Sequence, residues 1–411
     1  MTIVIFSQFH PPEMEPSGFM FASLSKSLAK NHEVHLISGF ANFPAGKFRD
    51  KPFFKVFASR IVDNYRHENV LVVPSSNKNN ITRVFNYLSY MIMSFFRAIF
   101  IRNVDKIVVT SPPIFSAVSA LLLSKLKKVP YILDVRDIWP ESAVQMGSIK
   151  NRLVIRFFEW IETKLYLHAE SILVATPGMV PEVEHKLKKL GVEDKEVNYI
   201  PCGIHVFSDD EITQFKHSNP LRPEDRDKFV VLYAGLHGHA QNLRVILDAA
   251  LMLKDHEDII FYLIGDGPEK DDLIRYKDEK SISNVIFFDA FERDKIRSAY
   301  ANVDLGLVPL RDLQVFKTVF PSKTFELMSF GVPIIVGVGG QIEEMIIENE
   351  CGVCVKPDCS NDYAQSILTL YENKSLRELM SKNARLVALN NFDYSVLNAR
   401  MEDIITRVER T

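Results

Sequence analysis

Three observations predict an α/β protein built from two doubly wound, parallel-sheet domains facing a central cleft. Short apolar runs alternate with longer helical patterns from one end of the chain to the other, as in a parallel sheet covered by helices. At 411 residues the chain is too long for one ordinary core and suits two domains of roughly 200 residues each. Between two series of strands lies a polar stretch, 201–227, containing Asn219-Pro220 and Arg222-Pro223-Glu224-Asp225-Arg226, which suits an exposed linker.

The first series of strands is expected near 2–7, 33–38, 69–73, 105–110, 130–134, 170–175 and 197–200. The second opens with Phe229-Val230-Val231-Leu232-Tyr233-Ala234 and continues at 258–264, 284–288, 303–308, 332–336 and 352–355. These series define an N-terminal domain, 1–200, and a C-terminal domain, 201–390. The last segment, Asn391-Phe392-Asp393-Tyr394 through Val408, has helical periodicity and would lack a partner if it simply extended from the second domain. Ligands of doubly wound sheets bind outside the carboxyl ends of the strands, so chemistry is expected there.

Composition narrows the function. The apolar fraction of 47% and the charged fraction of 25% are those of a soluble globular protein. A net charge of −3 gives no global reason to bind nucleic acid. The opening run Thr2-Ile3-Val4-Ile5-Phe6 is too short, and lacks the cationic lead, for a secretory signal, and a cytoplasmic location is expected. Four cysteines form no disulfide framework; Cys351, Cys354 and Cys359 are either a partial metal cluster or, more simply, core thiols.

Residues 321–340 carry the most chemistry. Pro321-Ser322-Lys323-Thr324-Phe325-Glu326 reads as a polar helix start, Gly331-Val332-Pro333 as the turn into a buried strand, and Gly339-Gly340 as the opening of a second helix. Amides at a helix N-terminus attract phosphate, and Lys323 adds a full charge in the first turn. Glu326, one turn on, is placed to accept hydrogen bonds from the vicinal hydroxyls of a ribose. Phosphate plus diol predicts a nucleotide; solvated charges on an exposed helix face are the alternative for both residues.

This stretch resembles the nucleotide-sugar site of the retaining GT-B glycosyltransferases of family 4, which often carry Pro-Ser-Lys-x-x-Glu, then a Gly-x-Pro turn and a Gly-Gly turn. The resemblance extends over most of the chain. It is nearest the bacterial O-antigen and capsule enzymes that transfer amino-deoxy sugars such as N-acetyl-L-fucosamine. It implies two Rossmann-like domains, a terminal helix crossing back onto the first, a retaining transfer and a UDP-sugar donor.

Other segments extend the donor site. Tyr233-Ala234-Gly235-Leu236-His237-Gly238-His239 leaves a strand for a helix, so Gly235 and Gly238 let amides approach a pyrophosphate, or serve only a tight turn. The family usually supplies a lysine or arginine near His239, for which His239 or Arg244 would substitute. Gly265-Asp266-Gly267-Pro268 resembles the family's Gly-x-Gly-Pro loop beside the base, and Phe291 is placed to contact the base or to pack in the core. Relatives often place a glutamate eight positions before Glu326 to hold the transferred sugar. This chain has Thr318 there, consistent with a deoxy sugar. Gly339, Gly340 and Glu343 would serve the diphosphate or sugar hydroxyls.

In the first domain the loop Phe9 to Phe19 keeps one glycine where many relatives have two. Ser17 and Gly18 are candidates for the cleft floor, with Glu15 a surface charge. Asp134-Val135-Arg136-Asp137 ends a strand. Arg136 would stabilise the leaving diphosphate and Asp137 orient the acceptor hydroxyl, unless an Asp–Arg salt bridge explains the string. The apolar helix expected over 84–101 and the basic-aromatic segment 151–168 suit a membrane interface or the domain core. The former would imply a polyprenyl-diphosphate-linked glycan acceptor. No Asp-x-Asp motif requires a metal, and no cofactor is expected. A nucleotide-sugar 2-epimerase of the same architecture and a non-catalytic nucleotide or lipid binder are the rival readings; no Gly-x-Gly-x-x-Gly follows the first strand to suggest a dehydrogenase.

Overall fold

The computed structural model describes residues 1–13, 15–43, 45–49, 55–75, 80–145 and 149–407. Met14, in the predicted loop 9–19, and Val408, at the end of the last predicted helix, lie outside them. The chain divides into two compact units, Met1–Gly203 with Tyr394–Thr411, and Ile204–Asp393.

The first unit contains strands β1 Thr2–Phe6, β2 Glu33–Gly39, β3 Phe57–Val62, β4 Tyr65–Val70, β5 Lys106–Ser111, β6 Tyr131–Val135, β7 Ser171–Val174 and β8 Val197–Tyr199. Its helices are α1 Pro16–Leu28, α2 Asn80–Ile99, α3 Ile114–Lys127, α4 Glu141–Gln145, α5 Arg152–His168 and α6 Met179–Lys189. The sheet order is β3-β4-β2-β1-β5-β6-β7-β8, parallel except for the antiparallel pair β3–β4. Helices cover both faces, so the central strands bury both rows of side chains: all of β1, β5 and β6 is buried. The hairpin β3–β4 departs from the single strand expected at 69–73. Its edge strand is largely exposed, and Asp63 and Asn64 take positive φ between the strands, as a two-residue hairpin turn requires.

The helix expected over 84–101 is half core and half surface. Asn86, Tyr90, Ser94 and Ala98, four apart, are buried, and the Tyr90 hydroxyl donates to the Ile37 carbonyl at 2.8 Å. Val84, Phe85, Ile92 and Phe96 are exposed. Among the described residues no helix is long and apolar enough to cross a membrane.

In the second unit α7 Asp209–His217 precedes strands β9 Phe229–Ala234, β10 Ile259–Ile264, β11 Val285–Phe288, β12 Leu305–Pro309, β13 Ile334–Gly337 and β14 Gly352–Cys354. The helices between and after them are α8 Arg244–Met252, α9 Lys270–Glu279, α10 Arg293–Tyr300, α11 Ser322–Ser329, α12 Gln341–Glu348, α13 Ser360–Glu372 and α14 Lys374–Val387. The order β11-β10-β9-β12-β13-β14 is parallel throughout. Helix α15 Tyr394–Thr406 belongs to the first unit, where Leu397 is fully buried and Met401 and Ile405 are fully buried in one cluster with Met20, Phe21, Leu24 and Leu28.

The polar stretch 201–227 is not an exposed linker. A capping box between Ser208 and Glu211 starts α7, Ile212 and Leu221 are buried, and the carboxylate of fully buried Asp225 accepts from Arg222 at 2.6 Å and Tyr262 at 2.8 Å. Many of its polar residues still face water, Asp209, Asp210, Lys216, His217 and Glu224 among them, but the stretch carries a helix and buried anchors. Among the described residues no group of three or more His, Cys, Asp or Glu could hold a metal, and the Cys354 thiol donates to the Glu343 carbonyl.

Arg136 serves the fold. Its side chain is almost wholly buried; Nε donates to Asp134 Oδ2 at 2.7 Å, a second nitrogen to Oδ1, and the third to the Ile200 carbonyl at 2.9 Å. With its donors directed at protein partners it is not available to a leaving diphosphate, and the assignment made from its place at a strand end is corrected. Burial of Asp134 explains why: a carboxylate with no solvent exposure needs the forked donor that arginine supplies. Arg136→Met should destabilise the protein by about 3–5 kcal/mol, because an uncompensated buried charge remains. Equilibrium urea unfolding measures this, and adding Asp134→Leu should restore most of the loss.

Candidate active site

Strand β9 pairs with β10 on one side and β12 on the other, so the direction of winding reverses between β9 and β12. Beyond the carboxyl ends of these strands is the crevice in which a doubly wound sheet takes its ligand. Gly235 leaves β9 there, and the chain from β12 arrives at the N-terminus of α11, bringing Ser322, Lys323 and Glu326.

Close backbone packing builds this edge. The loops after β9 and β10 continue the sheet's bonding, with Gly235 N donating to the Ile264 carbonyl at 2.9 Å and His237 N to that of Asp266 at 2.9 Å. A Cβ on Gly265, where φ is +148°, would lie 1.8 Å from the Gly235 carbonyl oxygen. One on Gly267 would meet the His237 carbonyl oxygen at 2.4 Å, and one on Gly238 would meet Gln241 Oε1 at 3.1 Å. At Gly235 (φ +149°) the Cβ would come within 2.8 Å of Lys323 Nζ, so the glycine leaves the space that the ammonium occupies.

Lys323 Nζ donates to the Tyr233 hydroxyl at 3.0 Å and lies 4.1 Å from the centre of that ring. Burial lowers its pKa to about 8, and the Glu326 charge opposes the fall. Three residues on, Glu326 Oε2 accepts from the Tyr300 hydroxyl at 3.2 Å. Crowding by protein raises the Glu326 pKa despite Tyr300, Arg293, Arg297 and Lys323, although the residue keeps an exposed side. Ser322 is exposed at the first helical position, and the N-cap, Pro321, supplies neither an N–H nor a capping side chain. The opening of α11 thus has a positive helix end, a cation and, one turn later, an acceptor.

Sequence reasoning missed several groups here. Tyr233 is 90 residues from Lys323, and Tyr300 26 residues from Glu326. His237 is fully buried and its pKa is lowered to about 4, by burial first and then by Lys270, so it stays neutral and adds no charge beside Lys323. Lys270 ties two strand ends, donating to the carbonyls of Gly265 at 3.0 Å and Phe288 at 3.1 Å.

Other predicted residues lie elsewhere or are occupied. His239 is exposed and pairs with Glu269, and Arg244 stacks 3.9 Å over the Tyr276 ring; neither replaces the family's loop cation. Phe291 has Lys295 Nζ 3.9 Å over one face and packs on Phe288 at 5.6 Å, so that face cannot receive a base. Gly340 N donates to Glu343 Oε2 at 3.3 Å, so one of the two amides expected to bind ligand caps α12 internally, and the next amide, Gln341 N, donates to the Lys317 carbonyl at 3.1 Å. Gly339, Gly340 and Glu343 line a cavity of about 750 Å³ with Lys317 and Lys356; Lys323 and Glu326 are not among its lining residues.

In the first unit Glu15 is the N-cap of α1 and not a loose surface charge. Its Oε2 accepts from Ser17 N at 2.7 Å and from Ser17 Oγ at 2.5 Å, so the hydroxyl and amide proposed for ligand are taken. Gly18 allows close approach: a Cβ would lie 3.1 Å from the Phe9 carbonyl. Asp137, half-buried beyond β6, accepts from Ser142 Oγ at 2.7 Å and keeps further acceptor capacity.

Comparison with known proteins agrees with this architecture. Residues 20–203 match the model of the glycosyl transferase 4-like domain, and residues 215–387 that of glycosyl transferases group 1. WcaI of Escherichia coli (strain K12), provisionally a colanic acid biosynthesis glycosyl transferase, is 23% identical over 384 residues, 87% of this chain and 89% of that protein. The fold is similar to sucrose-phosphate synthase from Thermosynechococcus elongatus, with a TM-score of 0.72 and 15% identity over 98% of each chain. It is also similar to Anabaena HepE in complex with UDP and glucose, with a TM-score of 0.68 and 15% identity over 99% of this chain and 100% of that one. With both matched segments and the paired parallel sheets in hand, the chain belongs to the GT-B glycosyltransferases of the group 1, glycosyltransferase 4-like family.

Proposed function

We propose that the protein transfers a sugar from a UDP carrier to a lipid-linked glycan acceptor in the synthesis of a cell-surface polysaccharide, with retention at the anomeric carbon. The observation that carries this reading is the placement of Lys323 and Glu326 one turn apart at the uncapped start of α11, beside the Gly235 turn. HepE, whose fold is similar, is described with UDP and with UDP-glucose, which supports a nucleotide-sugar donor. The likeness to WcaI supports surface polysaccharide as the product class. An N-acetylated deoxyhexose such as N-acetyl-L-fucosamine rests on the family resemblance and on Thr318, which offers no carboxylate to a sugar hydroxyl.

In this reaction the bond from the sugar C1 to the β-phosphate oxygen breaks, and its electron pair leaves with the diphosphate. The acceptor oxygen bonds to C1 on the same face, and its proton passes to the departing phosphate. The protein's task is to compensate charge on the diphosphate and to position the acceptor. Lys323 and the α11 amides take the first part, Glu326 holds the ribose hydroxyls, and Asp137 orients the acceptor hydroxyl. No step is assigned to a metal ion.

A membrane-bound acceptor suits the apolar surface of the first unit. Phe85, Ile92 and Phe96 on α2, Phe100 beyond it, and Leu153, Phe157 and Trp160 on α5 are exposed, with Arg102, Arg152 and Arg156 also at the surface. Apolar anchors among cations suit an anionic lipid interface.

Titrating UDP, UDP-sugars and other nucleotide sugars against wild type and Glu326→Ala tests the donor assignment: the substitution should weaken every nucleotide by about ten- to a hundredfold. Unchanged affinity would remove Glu326 from the ribose. Proton linkage tests Lys323 separately. Its free value of about 8 should rise beside a diphosphate, so UDP binding should take up protons and weaken as pH climbs from about 7 to 9. Folding has the opposite sign, since the folded value is below the unfolded one and the cost of burying the ammonium is relieved above about 8. Calorimetry in buffers of different ionisation heat, with uridine and Lys323→Met as controls, reads the uptake. For the membrane, Phe96→Ser with Trp160→Ser should lower sedimentation with phosphatidylglycerol vesicles about tenfold or more; equal sedimentation of wild type and variant would move the contact elsewhere.

A further inference from the structure

A lysine beside a phosphate site has two problems. Its four-carbon stem is flexible, and burial favours the neutral amine. A carboxylate partner would solve both but would cancel the charge that the ligand needs. The structure offers a neutral partner. Tyr233, on β9, is fully buried, and its hydroxyl donates its single proton to the Leu236 carbonyl at 2.7 Å. The oxygen lone pair is thereby turned toward Lys323 Nζ, 3.0 Å away. The ring face lies under the same ammonium, and Gly235 presents no side chain on the route between them.

We propose that Tyr233 is the positioning residue of Lys323, fixing its ammonium beside the Gly235 turn as a preorganised counter-charge for the donor diphosphate. This rests on the nucleotide-sugar reading of the site. Tyr233 touches no substrate: its proton is committed to Leu236, so it acts through Lys323 alone. Burial holds the phenol well above its ordinary range, and it stays neutral wherever Lys323 titrates. The other groups acting on Lys323 are Glu326, which favours the ammonium, and His237, which is neutral. The same device recurs at the second charge, where buried Tyr300 donates to Glu326 from α10.

A double-mutant cycle on the full chain tests this, with UDP and uridine as probes. Tyr233→Phe keeps the ring and removes the oxygen. It should weaken UDP about tenfold near neutral pH, leave uridine unchanged and move the alkaline loss of UDP binding to lower pH. Lys323→Met should weaken UDP at least as much, and Tyr233→Phe added to it should cost nothing further. If Lys323→Met weakens UDP but Tyr233→Phe is silent, or the two losses add, the positioning role is wrong while the site stands. If Lys323→Met has no effect, the phosphate assignment fails and this inference fails with it. Should Tyr233→Phe not fold, 3-fluorotyrosine at 233, which keeps both hydrogen bonds with a poorer acceptor oxygen, should shift the alkaline limb in the same direction; an unmoved limb would overturn the proposal.

Discussion

The edge of the second sheet depends on one steric constraint: the Gly235 carbonyl oxygen occupies the place where a side chain at residue 265 would begin. Any Cβ there would push apart the loops that follow β9 and β10, and with them the hydrogen bonds that extend the sheet past its last strand residues. Holding these loops together brings Gly235 against the ammonium of Lys323 and folds His237 beneath the 265–267 turn. The electrostatics of the site are therefore a consequence of backbone packing. The cation can be partly buried because glycine leaves room for it, and its lowered pKa follows from that burial.

What could be seen in the sequence was what is local. Central strands such as Ile3-Val4-Ile5-Phe6 and Val230-Val231-Leu232 are buried on both faces, so they appear as unbroken apolar runs and fix the α/β class. Pro321, Lys323 and Glu326 lie within six residues, and their relation to a helix start needs no tertiary information. The edge strand Phe57–Val62 was missed because an exposed strand has no such run, although the pair Asp63-Asn64 marks its turn. Helix α7 has the polar composition of a linker, although Ser208 and Glu211 have the spacing of a capping box.

Partners distant in sequence were not legible. A charge at a strand end needs compensation, and for Arg136 that need was visible; its answer was not, because the Ile200 carbonyl is 64 residues away. Tyr233 reads in the sequence as one more apolar strand residue, and its hydroxyl acquires meaning only when α11 brings Lys323 over it. The second glycine turn shows the reverse error. Gly339-Gly340 has the composition of a phosphate loop, yet two of its neighbouring amide bonds close on Glu343 and Lys317, so composition alone overstated its availability.

The helix N-termini of α1 and α11 differ in their chemistry, and the difference bears on which of the two suits an anion. At α1 the N-cap is Glu15, whose carboxylate takes the Ser17 amide and hydroxyl and places a negative charge on the positive end of the helix. At α11 the N-cap is Pro321, which contributes no capping side chain, and Lys323 adds positive charge within the first turn. A diphosphate brought to α1 would have to displace a carboxylate already hydrogen-bonded there and would meet its like charge; at α11 it meets uncapped amides and an ammonium held by a neutral phenol. Of these two helix starts, that of α11 is the one suited to the anion of the proposed donor. At the carboxyl end of β6 in the first unit, Asp137 keeps a carboxylate suited to a neutral hydroxyl. The proposed transfer between a nucleotide sugar and an alcohol calls for both kinds of group, a counter-charge for the anion and an acceptor for a hydroxyl.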